Sequence, residues 1–272
     1  MTGFSAEWLA LREPADRAAR NLDIEAAFIA ALPQDGPVRL VDLASGTGAT
    51  VRALTERLPR PQVWVLTDDD PTLLAEARRN ADATMPASVT VEERRIDLSA
   101  DLARLEFDGF HGVTTSAFLD LVSRRFLDTL ADRLAAAHVP VLASLTYDGR
   151  VACTPAHPVD EPVRRAVNAH QKGNKGFGPA LGRDAAGTCS GILAARGFTV
   201  RTGPSDWLIG PEEHAFQDQL VRGWFAAARE MMSKVELDAA ALDDWLAFRL
   251  DAIGRGRSTI CVGHIDLAAV PV

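Results

Sequence analysis

Val38-Arg39-Leu40-Val41-Asp42-Leu43-Ala44-Ser45-Gly46-Thr47-Gly48-Ala49-Thr50 decides the fold. A short run rich in β-branched and apolar residues reaches an acid, turns through two glycines, and opens a stretch from Val51 to Leu58 whose apolar positions suit a helix. Gly46 and Gly48 carry no Cβ, so a ligand can approach the backbone there. The free N–H groups at the start of the next helix favour electron-rich ligand atoms. This is the pattern of a nucleotide-binding turn, and by itself it does not say which nucleotide.

A second stretch narrows the choice. Val63-Trp64-Val65-Leu66-Thr67 reads as another buried strand and runs into Asp68-Asp69-Asp70-Pro71. Pro71 suits the first helical position and Asp70 the N-cap before it. Asp68, with Asp69 beside it, is left at the strand's carboxyl end, where an acid about twenty residues past the glycines can hold ribose hydroxyls. Here the chain resembles the class I S-adenosylmethionine-dependent methyltransferases, whose pattern is an acid, a glycine-rich turn, a second acid after the second strand and an Asp-hydrophobic pair after the third. In this sequence these are Asp42, Ala44-Ser45-Gly46-Thr47-Gly48, Asp68 and Asp97-Leu98. Ala44 stands where that family usually has its first glycine, the mildest replacement for a tight strand exit. A dinucleotide-binding turn would want a third glycine where Val51 stands.

The resemblance implies an α/β fold: a Rossmann-like seven-stranded sheet in the order 3-2-1-4-5-7-6, with strand seven antiparallel and helices on both faces. It implies S-adenosyl-L-methionine as cofactor, held by Asp42, Ala44, Ser45, Gly46, Gly48, Asp68, Asp69, Asp97 and Leu98. Asp97 would lie beside the adenine and accept from its exocyclic amine; alternatively it caps a short helix over 99–104.

Bulk properties bound the partners. A net charge of −8 over 272 residues, with no basic tract, argues against general affinity for nucleic-acid phosphates. No apolar run approaches a membrane span and no basic-then-apolar leader opens the chain, so a cytoplasmic location and no membrane partner are expected. Cys153, Cys189 and Cys261 are far apart and show no metal-ligand spacing. They read as reduced thiols, a thiol-dependent substrate being the alternative, and no metal is expected.

Residues 1–36 are expected to form a helical lid segment, with helices over 5–21 and 23–32, before a catalytic domain over 37–272. In the resembled family such a lid covers the cleft. Trp8 would then meet substrate and Arg12 the carboxylate of the cofactor; alternatively Trp8 anchors packing and Arg12 is a solvated charge. The core alternates strand and helix, which predicts a parallel sheet covered on both faces. Strands are read at 38–43, 63–67, 89–96, 110–115, 139–147 and 198–201, with a last one at 258–266.

Strands one and four are the expected neighbours where the strand order reverses, and ligands bind outside their carboxyl ends. Ser116 at the end of strand four is thereby placed near the cofactor's sulfonium side. Asp120 lies on the same rim, as a base or as a capping carboxylate. Tyr147, the chain's one tyrosine, ends strand five on the cleft side. From about 148 to 183 prolines and glycines punctuate a cap-like insertion, in which His170 is a candidate base and Lys175 and Phe177 candidate substrate contacts; the alternative is a polar solvent loop. A helical pair over about 211–256 is a second insertion, expected to wall the lid or to offer a homodimer surface.

The sequence has no Asn-Pro-Pro-Tyr, Asp-Pro-Pro-Tyr or Pro-Cys run of the kind DNA methylases carry, which points to a small-molecule methyl acceptor. Alternatives of another kind are RNA or protein methylation and a cofactor-binding module without catalysis.

Overall fold

A computed structural model describes residues 4–272. The sheet follows the order β3-β2-β1-β4-β5-β8-β6, built from β1 (Val38–Leu43), β2 (Gln62–Asp68), β3 (Val89–Arg95), β4 (Gly112–Ser116), β5 (Val141–Thr154), β6 (Phe198–Pro204) and β8 (Thr259–Pro271). The first five run parallel to their neighbours, and β8 lies antiparallel between β5 and β6. This is the expected order, with one strand more than expected: β7 (Trp207–Ile209) pairs antiparallel with β8, so the sheet has eight strands, not seven.

Alternation within β1 accounts for its central place. Val38 and Leu40 enter the apolar layer on one face with Trp64 and Leu66, while Val41 and Leu43 enter the opposite layer with Val65 and Val113. A strand buried on both faces needs apolar residues at both phases, and this run supplies them up to Asp42. The helices α1 (Ala6–Ala19), α2 (Leu22–Ala30), α3 (Ala49–Leu54), α4 (Pro71–Thr84), α5 (Leu98–Asp101), α6 (Arg124–Ala137), α7 (Asp160–Gln171), α8 (Ala185–Ala194), α9 (His214–Val235) and α10 (Ala239–Gly254) cover the sheet and its end. Asp70 caps α4 through Thr72 N–H and Leu73 N–H with Pro71 at its first turn, and Ser123 caps α6 through Phe126 N–H. Within the expected lid segment only α1 lies over the cleft side. α2 places Ile24 and Phe28 in the apolar layer against Leu40 and Trp64.

β5 is the largest departure from expectation. It continues past Tyr147 to Thr154, with β8 alongside, through register breaks between Ala143 and Thr146 and between Tyr147 and Val151. At the first break Leu145 takes φ 56°. Its N–H leaves the ladder and donates instead to Asp266 Oδ1 at 2.7 Å. Asp266 Oδ2 accepts from Asn21 N–H at 2.9 Å, at the junction of α1 and α2. The overhanging β5–β8 ribbon carries β7, α7, α9 and α10 on a third apolar cluster that includes Tyr147, Val163, Trp207, Phe216, Trp224 and Trp245. Both expected insertions thus build one compartment at the end of the sheet. Among the described residues no helix is long and apolar enough to cross a membrane.

Asp266 is fully buried, and its removal leaves two buried N–H groups without acceptors. Asp266→Ala is therefore expected to lower the free energy of unfolding by about 3 kcal/mol. Urea denaturation checks this; a loss below about 1 kcal/mol would show that the two N–H groups find other partners.

Candidate active site

Three left-handed residues shape the turn after β1: Ala44 at φ 51°, Gly46 at 52° and Gly48 at 78°. Alanine at the first of them accepts a conformation that glycine would adopt without strain. Asp68 at the end of β2 holds the turn, its Oδ2 accepting from Gly46 N–H at 2.9 Å and its Oδ1 from Asp70 N–H at 3.0 Å. Burial pushes its carboxyl above the usual range. Asp69 is exposed beside it. Asp42 is buried, with Oδ1 accepting from Thr114 Oγ1 at 2.6 Å and Oδ2 without a partner. Desolvation pushes Asp42 up to about 7, against the hydrogen bond from Thr114 and the charge of Arg20. Ser45 Oγ is likewise buried and unpartnered.

α1 lies across this turn. A Cβ on Gly46 would stand 3.1 Å from Leu9 Cδ1, so the helix seats close against the turn, and the left-handed φ of 52° there favours glycine. Arg52 on α3 fixes it, with Nε and Nη2 donating to Glu13 at 2.7 and 2.6 Å and Nη1 to Thr47 O at 2.6 Å. Trp8 stacks on Phe216 with ring centres 5.5 Å apart, and Arg12 pairs with Asp16 at 3.1 Å. Asp16 in turn accepts from Trp207 Nε1 at 2.9 Å, so the missed strand β7 anchors the lid helix.

Beyond β4, Ser116 is half-buried at the strand end, and Asp120 sits in the single helical turn Leu119–Leu121. Asp120 is buried with Oδ1 unpartnered. Desolvation raises its carboxyl to about 6, and the charges of Arg12 on the lid and Lys175 on the cap restrain the rise. The acid therefore stands at the end of the sheet within reach of the charges of α1 and of the segment after α7. Tyr147 donates to Asn168 Oδ1 at 2.8 Å, and Asn168 donates to Gly149 O at 3.1 Å. Burial drives the Tyr147 hydroxyl far above its ordinary pKa, so it stays protonated.

The cap residues divide. His170 ends α7 with Nε2 3.2 Å from Glu230 of α9 and Nδ1 3.5 Å from Lys175 Nζ. Phe177 closes an aromatic cluster, edge-on to Phe118 at 5.3 Å and Phe126 at 5.1 Å, and so ties the cap to the segment after β4. Asp97 caps α5 through Ser99 N–H at 2.8 Å using Oδ1, which leaves Oδ2 free, and Leu98 is buried behind it. Burial pushes Cys153 and Cys189 up to about 12, so both remain thiols near neutral pH.

One residue of the site escaped the sequence reading. His264 on β8 is buried between Trp207 at 4.6 Å and Tyr147 at 6.2 Å, and desolvation with the charge of Arg12 lowers it to about 4. Its strand position alone carries no local signal, since only the antiparallel return of β8 brings it to the cleft.

No protein-family model matches the sequence, and no curated protein matches it. Solved structures do match in shape. A cyclopropane-fatty-acyl-phospholipid synthase-like protein from Lactobacillus casei is 16% identical over 98% of this chain and 94% of its own, with a TM-score of 0.55. A cyclopropane synthase from Mycobacterium tuberculosis is 12% identical over 97% of this chain and 94% of its own, at 0.52. Phosphoethanolamine N-methyltransferase 2 of Haemonchus contortus, solved with phosphomonomethylethanolamine and S-adenosylhomocysteine, is 15% identical over 99% of this chain at 0.50. This chain spans 59% of that protein's length. With the strand order above, these likenesses establish the class I methyltransferase fold.

The raised carboxyl of Asp120 gives its pH dependence a definite sign. Asp120 binds its proton more tightly folded than unfolded, so its contribution to stability is full below the ordinary 3.8 and falls as pH rises through about 6. Asp120→Asn is expected to remove up to about 3 kcal/mol of this decline. Thermal melts of both proteins at about pH 5 and pH 8 check it; parallel pH dependences would refute the desolvated carboxyl.

Proposed function

We propose that this protein is an S-adenosylmethionine-dependent methyltransferase that acts on a small molecule. The observation that carries the reading is the convergence of a glycine turn, Asp68 and the unpartnered oxygen of buried Asp120 beside the point where the sheet order reverses between β1 and β4. The cofactor fits the groups present. Asp42 Oδ2, Ser45 Oγ and Asp120 Oδ1 are buried polar atoms without partners, a costly state in a native fold unless a ligand or water completes it.

The backbone of Gly46 and Gly48 would lie against the cofactor, and Asp68 and Asp69 would take its ribose hydroxyls. Asp68 already accepts two N–H groups, but each carboxylate oxygen has a further lone-pair site. Asp97 keeps Oδ2 for the adenine amine while Oδ1 caps α5. Ser116, Ser45 and Arg12 would meet the methionine end. When bound, the cofactor supplies a methyl group already activated by a positive sulfonium, so the chain's own task is chiefly alignment and exclusion of water.

Asp120 is assigned as the group that takes or orients the acceptor's proton. A carboxyl raised to about 6 suits a base near neutral pH, and its free oxygen is available. Tyr147 keeps its proton and positions. His170 is a positioning residue in this reading, because Glu230 and Lys175 flank both ring nitrogens. Trp8 and Lys175 would border the acceptor, and Phe177 would hold the cap against β4. The small-molecule assignment draws on the net charge of −8, which disfavours polyanionic substrates, and on the small phosphorylated amine bound in the Haemonchus contortus structure.

Calorimetry with S-adenosylhomocysteine tests the reading. The wild type is expected to bind, and Asp68→Ala to weaken binding about tenfold or more. Asp120→Asn is expected to leave binding within about threefold while slowing transfer to an accepted amine or hydroxyl about a hundredfold. No binding by the wild type overturns the proposal.

A further inference from the structure

The overhanging end of the sheet encloses a cavity of about 220 Å³ walled by Val151 and Cys153 of β5, Val163 and Val167 of α7, Trp224 of α9 and Trp245 of α10. Native interiors leave few voids larger than a water molecule, and a void of this size amid apolar side chains loses contacts on every wall. Its shape is held from behind. Trp245 Nε1 donates to Asp160 Oδ1 at 2.7 Å, and the fully buried Arg249 grips the same carboxylate while donating to Pro155 O at 2.6 Å. Trp245 is thereby locked in place, and its one polar atom is occupied.

The polar groups at the cavity are satisfied among themselves. Asp160 also accepts from His157 N–H at 2.8 Å, and Arg164 is held by Glu161 at 2.7 Å and Gly149 O at 3.1 Å. Asp160 and Arg164 also line the cavity, with side chains 25% and 27% exposed, and each charge is already paired, with Arg249 and Glu161 respectively. Apart from the Cys153 thiol, which burial keeps protonated and which is at most a weak donor, the lining side chains leave no polar group free. What the walls offer is dispersion and aromatic contact.

We propose that this cavity is a binding site for a neutral apolar group of about one substituted aromatic ring. A cavity of about 150 Å³ lined by apolar side chains holds benzene, so the larger space here takes a ring with a short substituent. The two indoles give a ring edge-on or offset faces to pack against. The inference stands on packing alone and does not rest on the methyltransferase reading.

Titration of the intact protein with toluene, followed by tryptophan fluorescence, tests it. Saturable binding is expected, benzoate is expected not to compete, and Val163→Phe, which fills the space, is expected to weaken toluene binding about tenfold or more. The circular dichroism spectrum and the cooperativity of urea unfolding should be unchanged in that variant, which separates a blocked cavity from a damaged fold. If Val163→Phe does not fold, Val167→Phe serves the same purpose, and a toluene-soaked crystal should show density between Trp224 and Trp245. Absence of saturable binding, unchanged affinity in the folded filled variant, or density elsewhere would overturn the proposal.

Discussion

The buried carboxylate of Asp266 is the constraint on which the rest of the cleft depends. It accepts from Leu145 N–H on one side and from Asn21 N–H on the other, so one side chain sets the bulge in β5 and the hinge between α1 and α2. The bulge shifts the register of β5 against β8, and with it the positions of Thr146, Tyr147 and everything downstream. The hinge fixes where α1 leaves the core, and hence how it crosses the glycine turn. Arg20, next to that hinge, donates to Ser144 at 3.2 Å and pairs with Glu25, binding the same junction to β5 a second time. Lid and strand end are thus positioned relative to each other by buried charge, not by shape alone.

Strain and desolvation gather at that same edge. Among the described residues, five non-glycine residues have positive φ. His138 and Glu236 end helices, where the left-handed conformation is the ordinary way to terminate. Of the remaining three, Ala44 and Ala117 follow β1 and β4 at their carboxyl ends, and Leu145 interrupts β5 at its first register break. Such residues persist only where the surroundings over-determine them, and they concentrate where a fold does chemistry. Unpartnered buried atoms of Asp42, Ser45 and Asp120 lie at or just past the ends of β1 and β4, and that of Thr146 beside the first break in β5.

What was legible in the sequence was whatever local chemistry determines. The strand order came from the family resemblance that two glycines and three acids carry, and the caps at Asp70 and Ser123 followed from residue type. Trp207–Ile209 was not legible, because three residues with a single exposed leucine between two buried side chains carry no countable period. The continuation of β5 was hidden by Asp148-Gly149-Arg150, which reads as a turn but here forms a second register break, with Asp148 accepting from Arg150 N–H at 2.9 Å. Phe177 looked like a ligand contact because its neighbours are glycines and polar residues; its aromatic partners lie more than fifty positions earlier. His264 and Asp266 owe their roles to the antiparallel return of β8, a placement no local window contains.

The compartment beyond the sheet shows the same logic in a different material. The ion pair of fully buried Arg249 with partly open Asp160 gains little over well-packed apolar residues of the same volume, because desolvating the guanidinium offsets much of the attraction. Its advantage is direction: the carboxylate must point at the guanidinium, at Trp245 Nε1 and at His157 N–H together, and only one arrangement of α7, α10 and the turn before α7 satisfies all three. The pair thereby fixes Trp245 in the wall of the cavity that Trp224 also lines, as Asp266 ties Asn21 to Leu145 at the cleft.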